Sequence, residues 1–143
     1  MSLVKTRFAP SPTGYLHIGG ARTALFAWLY AKSQDGDCLL RIEDTDKERS
    51  KDEYTTEIIE SFKWLGVEFD NEVVYQSKNA DRYKEIIDQL LDQGSAYICN
   101  GEDPEADKEY RDQNLPRDNN TVVRFKMPEE GSTVYADIVK GQI

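Results

Sequence analysis

The sequence predicts an α/β fold, with a parallel βαβ core followed by a short antiparallel β extension. Three observations carry this. Residues 4–9 (VKTRFA) and 38–42 (CLLRI) are two apolar runs that flank a stretch of helical apolar period. The second run is almost unbroken in apolar residues, as in strands of a parallel sheet covered on both faces. Two later segments, 121–126 (TVVRFK) and 133–138 (TVYADI), alternate as antiparallel strands do.

In chain order, the first run reads as a short buried strand. Pro10-Ser11-Pro12-Thr13-Gly14 ends it, because two prolines remove backbone donors and glycine permits a tight turn. Ala21, Ala24, Leu25, Trp28 and Leu29 then fall at i, i+3, i+4, i+7 and i+8, the stripe of a helix packed on one face, and Gly36 stands just past its end. Strand, helix and strand together span roughly forty residues, a βαβ unit with a right-handed crossover. Ser50 and Glu53 have the spacing of a capping box for a second helix. Its stripe is Tyr54, Ile58, Phe62 and Leu65, and Gly66 is its stop. A third helix carries Tyr83, Ile86, Ile87, Leu90 and Leu91 on one face and stops before Gly94. Residues 95–99 (SAYIC) follow as a strand. Residues 100–120 are polar and lack apolar periodicity, so a loop or a short exposed helix is expected there. Residues 128–131 (PEEG) join the two alternating segments as a hairpin. The chain stops at Ile143 with no capping signal, as if cut.

With 143 residues, 38% hydrophobic and 31% charged, the chain has the size and core of one domain and is not globally disordered. No apolar run approaches the roughly 18 residues of a membrane span, and the N-terminus lacks a secretory apolar segment, so a cytoplasmic protein is expected. Cys38 and Cys99 are too few for a disulfide framework or a thiol-based zinc site, and read as small buried hydrophobes. A net charge of −9 excludes a general nucleic-acid binder. Residues 1–50 carry 7 Lys+Arg against 6 Asp+Glu, net +1, whereas residues 51–143 carry 11 against 21, net −10. An anionic ligand is therefore expected in the N-terminal third.

The chemistry concentrates between Arg7 and Gly20, RFAPSPTGYLHIGG, placed between a strand and the start of a helix. That is the crevice at the carboxyl end of a parallel sheet, where open α/β folds bind ligands and a helix N-terminus offers free N–H groups to phosphate. Gly19 and Gly20 allow close backbone approach, and His17, the single histidine, supplies a donor. Neither of the commoner phosphate loops is present. The plainer readings are a helix-start histidine bonded to the backbone, a strand-end surface arginine at Arg7, and a solvated acidic turn at Glu43-Asp44-Thr45-Asp46. That turn lacks the glycine spacing of a calcium loop.

Pro10-Ser11-Pro12-Thr13-Gly14-Tyr15-Leu16-His17-Ile18-Gly19-Gly20 resembles the first signature of class I aminoacyl-tRNA synthetases. Arg7-Phe8-Ala9 and Arg41-Ile42-Glu43-Asp44-Thr45-Asp46 are similar to the glutamyl subclass. The resemblance continues through Lys63-Trp64-Leu65-Gly66, Tyr75-Gln76-Ser77 and Val122-Val123-Arg124-Phe125, and fails at about residues 100–120. It implies the front half of a Rossmann-like fold. Residues 1–99 would form the first half of the nucleotide-binding catalytic domain, and residues 100–143 the truncated start of an insertion for the tRNA acceptor end.

The implied reaction joins glutamate to ATP with release of pyrophosphate, then passes the glutamyl group to tRNA. The resemblance gives His17, Gly19 and Gly20 the catalytic role of holding the ATP phosphates, with Ser11 and Thr13 lining the same pocket. It gives Arg7 the glutamate side chain, Glu43 the α-ammonium, and Ala9 and Ser11 further glutamate contacts. Asp44 and Asp46 are expected to shape their loop. ATP with Mg2+ is expected and zinc is not, because Cys99 alone remains of a zinc-binding set that many relatives carry. The family's second signature, Lys-Met-Ser-Lys-Ser, is absent, since Lys126-Met127 is followed by Pro128. The implied partners are glutamate, ATP, the tRNA acceptor end and no membrane, with dimerisation through an exposed sheet edge. The alternatives are a non-catalytic nucleotide-binding fragment, a glutaminyl enzyme, which favours Asp where Glu43 stands, and the paralogue that glutamylates a modified tRNA base.

Overall fold

The computed structural model of the protein describes residues 4–101, 103–113 and 115–143. Residues 1–3, 102 and 114 lie outside the described residues. With them fall part of the N-terminus read as lacking a secretory segment and two positions of the polar 100–120 stretch. Contacts divide the chain into two compact units, Met1–Asp81 and Arg82–Ile143.

The first unit runs β1 (Lys5–Phe8), α1 (Ile18–Ser33), β2 (Asp37–Ile42), α2 (Asp52–Trp64), β3 (Val74–Tyr75) and a 3-10 turn at Gln76–Asn79. Its sheet has the order β1-β2-β3 and both pairings are parallel, so the expected βαβ core is present. Arg7 stands opposite Leu39 and Phe8 opposite Leu40. Burial along β2 alternates, with Cys38, Leu40 and Ile42 buried and Asp37, Leu39 and Arg41 half-buried. The expectation of a sheet covered on both faces is corrected by this pattern. Phe8, Leu40 and Ile42 share one core with Ala24 of α1 and Ile58 and Phe62 of α2. Lys5 and Arg7, on the opposite face, are exposed. Phe62 meets Phe8 edge-on at 5.3 Å and Phe69 at 5.4 Å. Such side chains contribute about 1.5–3 kcal/mol each by burial, so this cluster dominates the unit's stability.

Local details depart from the periodic reading in ways that packing explains. In α1, Leu29 is exposed while Ala31 is fully buried, because a strict 3.6-residue period carries the inward face from Ala21, Ala24 and Trp28 on to Ala31. Gly36 acts by close approach. A Cβ there would run into the Val4 carbonyl oxygen, which accepts the Asp37 N–H at 2.9 Å and starts the β1–β2 ladder. The left-handed residue after α1 is Asp35, at φ 49°. The capping box at Ser50 and Glu53 does not form. Lys51 is the N-cap of α2 and makes no side-chain cap bond, and the Ser50 hydroxyl is buried without a partner among the described residues. The stop after α2 is a Schellman pair, Gly66 N–H to Lys63 O at 3.1 Å and Val67 N–H to Phe62 O at 2.9 Å. Val67, buried, seals it.

Before β3, side chains stand in for a strand along β2. The Asp70 carboxylate accepts the Cys38 N–H at 2.7 Å, and the Asn71 amide accepts from Leu40 N–H at 2.9 Å and donates to Leu40 O at 3.2 Å. Lys32 closes on Asp70 at 2.6 Å. That hydrogen bond, followed by the one from Cys38, holds the Asp70 carboxyl below the usual range.

The second unit holds most of α3 (Ala80–Asp92), then β4 (Ala96–Cys99), a 3-10 turn at Ala106–Tyr110, β5 (Val122–Phe125), β6 (Ala136–Asp137) and β7 (Gly141–Gln142). The hairpin expected between 121–126 and 133–138 is corrected. β5 pairs antiparallel with β4, Cys99 opposite Val122, and the two-residue β6 pairs with β7. Alternation marks a strand but does not choose its partner. Within the 100–120 stretch, Asp107 is fully buried. Its carboxylate takes Arg124 of β5 at 2.6 Å and the Gly101 N–H at 3.2 Å. Both cysteines are buried and free, as expected of small hydrophobes, and burial pushes the Cys38 thiol up.

Candidate functional site

β1 ends at Phe8 and delivers the chain into the turn that precedes α1. A cavity of about 240 Å³ lies there, lined by Phe8, Ser11, Tyr15, His17, Gly20 and Ile58 among others. Of the residues expected to bind phosphate, Ser11, His17 and Gly20 border this cavity, whereas Thr13 and Gly19 do not.

His17 is the N-cap of α1, and its Nδ1 accepts the Gly19 N–H at 3.1 Å. An accepting Nδ1 assigns the ring proton of the neutral imidazole to Nε2, so the exposed ring presents one donor outward. The plainer reading of a helix-start histidine is thus correct and leaves a donor free. A Cβ on Gly19 would press against that same ring at 2.9 Å, and one on Gly20 would crowd Leu16 at 3.0 Å. Both glycines therefore have a packing reason in the cap itself.

The other expected set lies on β1 and beyond β2. Arg7 is exposed and its side chain makes no hydrogen bond or ion pair among the described residues, and Ala9 is half-buried in the following turn. The Glu43 N–H donates to Pro10 O at 2.9 Å, which ties the end of β2 to the turn that carries Ser11. The Glu43 carboxylate is paired with the Arg41 guanidinium, and Arg41 Nε is buried without a partner among the described residues.

Asp44 and Asp46 shape their loop. Asp44 accepts the Ser77 N–H at 2.8 Å and hydroxyl at 2.6 Å. Burial alone would raise its carboxyl, but these bonds hold it below the usual range. Asp46 accepts Arg49 Nε at 2.6 Å and the Arg49 N–H at 3.1 Å, and its carboxyl is likewise held down. No group of three or more His, Cys, Asp or Glu side chains among the described residues could hold a metal ion.

Sequence reasoning missed the grip that α2 has on the turn. Lys51 N–H donates to Pro12 O at 3.1 Å, Tyr54 meets Tyr15 edge-on at 5.0 Å, and Glu57 accepts the Leu16 N–H at 3.0 Å. These partners are 39 to 41 residues apart, and nothing in the local pattern of α2 distinguishes Glu57 from a solvated helix glutamate.

The chain matches, over residues 3–120, the family described as class I tRNA synthetases (E and Q), catalytic domain. It is 51% identical to a glutamate–tRNA ligase of Lawsonia intracellularis and 49% identical to one of Oleidesulfovibrio alaskensis, in each case over all of this chain and 34% of the relative. Its structure resembles a crystal structure of a glutamate tRNA ligase from Elizabethkingia meningosepticum in complex with its amino acid. The TM-score is 0.79 and the identity 32%, over 99% of this chain and 36% of that one. The glutamate-tRNA synthetase of Elizabethkingia anophelis is similar at a TM-score of 0.77. The chain spans about a third of the length of the curated relatives it matches.

Proposed function

Because the chain belongs to the catalytic-domain family of the class I glutamyl and glutaminyl tRNA synthetases, we propose that it forms the ATP- and glutamate-gripping part of a glutamate–tRNA ligase. In the first step the glutamate α-carboxylate attacks the α-phosphate of ATP and pyrophosphate leaves. In the second the glutamyl group passes to the terminal adenosine of tRNA. Positioning and charge stabilisation carry such displacements without an enzyme-bound covalent intermediate. Residues 1–99 take the nucleotide-binding role, and residues 100–143 open the region for the tRNA acceptor end. The protein acts in the cytoplasm.

The observation that carries this reading is the cavity at the end of β1. The free N–H groups and dipole of the α1 N-terminus favour an anion there, and the outward Nε2–H of His17 adds a donor. At about 240 Å³ the cavity takes part of a nucleotide, and the remainder lies on the open surface beside it. Ser11 and Gly20 border the same cavity, and Thr13 and Gly19, which lie outside its lining, complete the proposed phosphate set from the turn and the cap. No protein ligands for Mg2+ are assembled among the described residues, so in this reading the ion arrives on the nucleotide's phosphates. Titrating ATP against the wild-type chain and His17→Ala tests the reading. The variant should bind about tenfold more weakly, the worth of one hydrogen bond to a charged group. Equal affinities would remove His17 from the site.

Arg7 takes the side-chain carboxylate of glutamate, Glu43 the α-ammonium, and Ala9 and Ser11 flank them. The exposed Arg7 guanidinium has its planar fork uncommitted, which suits a bidentate carboxylate. Arg7→Lys keeps the charge and loses the fork, so glutamate binding should weaken by about 1–3 kcal/mol. Calorimetry against glutamate and glutamine checks this, and unchanged glutamate affinity would disqualify Arg7 as the specificity residue. β1 ends the sheet order and leaves one edge unpaired within its sheet, where a second chain could dimerise by strand addition.

A further inference from the structure

Glu57 lies in the middle of α2. Its side chain is half-buried, and no Lys or Arg lies in ion-pair contact with it among the described residues. Both carboxylate oxygens are nonetheless in use. Oε2 accepts the Leu16 N–H at 3.0 Å, and Oε1 accepts the Ser61 hydroxyl, one turn further along the helix, at 2.7 Å. A half-buried carboxylate without a counter-ion is costly unless its lone pairs are satisfied, so the amide and the hydroxyl explain why it is tolerated.

The amide it holds is in a telling place. Leu16 immediately precedes His17, the N-cap of α1. The N–H groups of Gly14, Tyr15 and His17 make no hydrogen bond among the described residues, so Leu16 is where the backbone of this segment is tied down. Ser61 fixes the Glu57 rotamer, Glu57 fixes Leu16, and Leu16 sets where the His17 backbone enters the helix. The His17 side chain then closes on the Gly19 N–H at 3.1 Å, which aims the ring. The remaining attachments, Lys51 N–H to Pro12 O at 3.1 Å, Thr13 N–H to Ser11 O at 2.9 Å and the Tyr15–Tyr54 ring contact at 5.0 Å, leave Gly14, Tyr15 and Leu16 without another backbone hydrogen bond among the described residues.

We propose that Glu57 is a positioning residue for the phosphate-binding turn: through the Leu16 amide it holds His17 at the angle from which its Nε2–H meets the nucleotide. Its function is that of a neutral or charged acceptor at one point in space, and it touches no substrate. The inference rests on the nucleotide reading of the cavity, but the clamp itself can be measured without a ligand.

The chain has one histidine, so the imidazole resonances of His17 are unambiguous. In Glu57→Ala the Leu16 amide should exchange with solvent about ten- to a hundredfold faster, as expected for loss of a hydrogen bond to a charged group. The His17 resonances should shift, while amide exchange in β2 should change no more than the small fall in melting temperature accounts for. ATP affinity should fall about three- to tenfold by the same loss of pre-organisation. Glu57→Gln retains an acceptor oxygen and should restore exchange, resonances and affinity together. Ser61→Ala should give a weaker version of the Glu57→Ala result. Unchanged Leu16 exchange in Glu57→Ala would overturn the clamp, and so would faster exchange with unchanged ATP affinity, or a Gln variant as impaired as the Ala variant. Failure of the wild-type chain to bind ATP would instead refute the nucleotide reading, and the exchange and resonance arms would still decide whether Glu57 holds the turn.

Discussion

Asp107→Asn should open the second unit locally and expose the Cys99 thiol, which is fully buried in the folded chain. The Asp107 carboxylate joins three segments. It lies on the 3-10 turn, it takes Arg124 of β5 through Nε and Nη2 at 2.6 Å each, and it accepts the Gly101 N–H that follows β4. Asp107 is fully buried while the Arg124 side chain keeps 30% exposure, so neutralising Asp107 leaves a half-buried guanidinium without its counter-ion and a buried amide in place of the acceptor that joined the segments, which is worse than replacing both. The melting temperature of the unit should drop by about 10 °C, and Cys99 should react with thiol reagents at least about tenfold faster. Cys38, buried in the first unit, is the internal control and should stay protected. Replacing Asp107 and Arg124 together by Leu and Met should recover much of the loss.

The pH dependence has a definite sign. Burial alone would raise the Asp107 carboxyl and is the largest single influence, but the hydrogen bond and charge of Arg124, with the Cys99 thiol and the Gly101 N–H, together hold the folded-state value below the ordinary 3.8. A depressed carboxyl contributes stability that is fully present above its unfolded value and lost as pH falls through the folded one. Cys99 protection should therefore be flat from pH 7 to about 5 and fall below about pH 4 in the wild-type chain, and Asp107→Asn should lack that fall. Equal Cys99 reactivity in wild type and Asp107→Asn would refute the pin.

The same residue shows where a sequence stops being legible. Asp107 sits among Glu105, Lys108 and Glu109, and locally it reads as one more solvated charge. Its burial is decided by Arg124, 17 residues away, and by the pairing of β4 with β5. The hairpin assigned to 121–126 and 133–138 failed for the same reason, since alternation reports that one face is covered and not by which strand. Ser50 and Glu53 fit a capping box in spacing, yet the Lys51 N–H bond to Pro12 O fixes the chain one residue further on and makes Lys51 the cap. By contrast β1, α1, β2 and the body of α2 were readable, because their apolar residues repeat within a single element and all face one core. The site divides in the same way. The strand–turn–helix placement that brings Ser11, His17 and Gly20 to one cavity is local and was legible. The grip of Glu57 on that turn, and the pairing of Glu43 with Arg41 at the end of β2, became visible in the fold.

Assayed by themselves, these 143 residues should run pyrophosphate exchange and tRNA glutamylation at least about a hundred- to a thousandfold below a full-length relative such as the ligase of Lawsonia intracellularis, the usual cost of losing one preorganised donor from a charge-stabilised transition state. The chain covers 34% of that relative and carries no Lys-Met-Ser-Lys-Ser segment, whose lysine the family resemblance places on the far side of the same phosphates. Within the described residues the ligand is approached from one side. His17 is exposed, Arg7 stands on an uncovered sheet face without a partner, and the cavity holds about 240 Å³. An open site also leaves the reacting carboxylate and phosphate less well aligned, and it admits water, which weakens each electrostatic contact. The second step should suffer more than the first. A net charge of −9 repels a polyanion, and residues 100–143, the region assigned to the acceptor end, carry 6 Lys+Arg against 10 Asp+Glu, net −4. Pyrophosphate exchange should therefore persist at a low level and tRNA charging fall below it, with the gap widening at low salt, where repulsion is least screened. Charging at the rate of the full-length relative would mean that the second signature is dispensable in this chain, and that the turn held by α2 supplies the phosphate chemistry unaided.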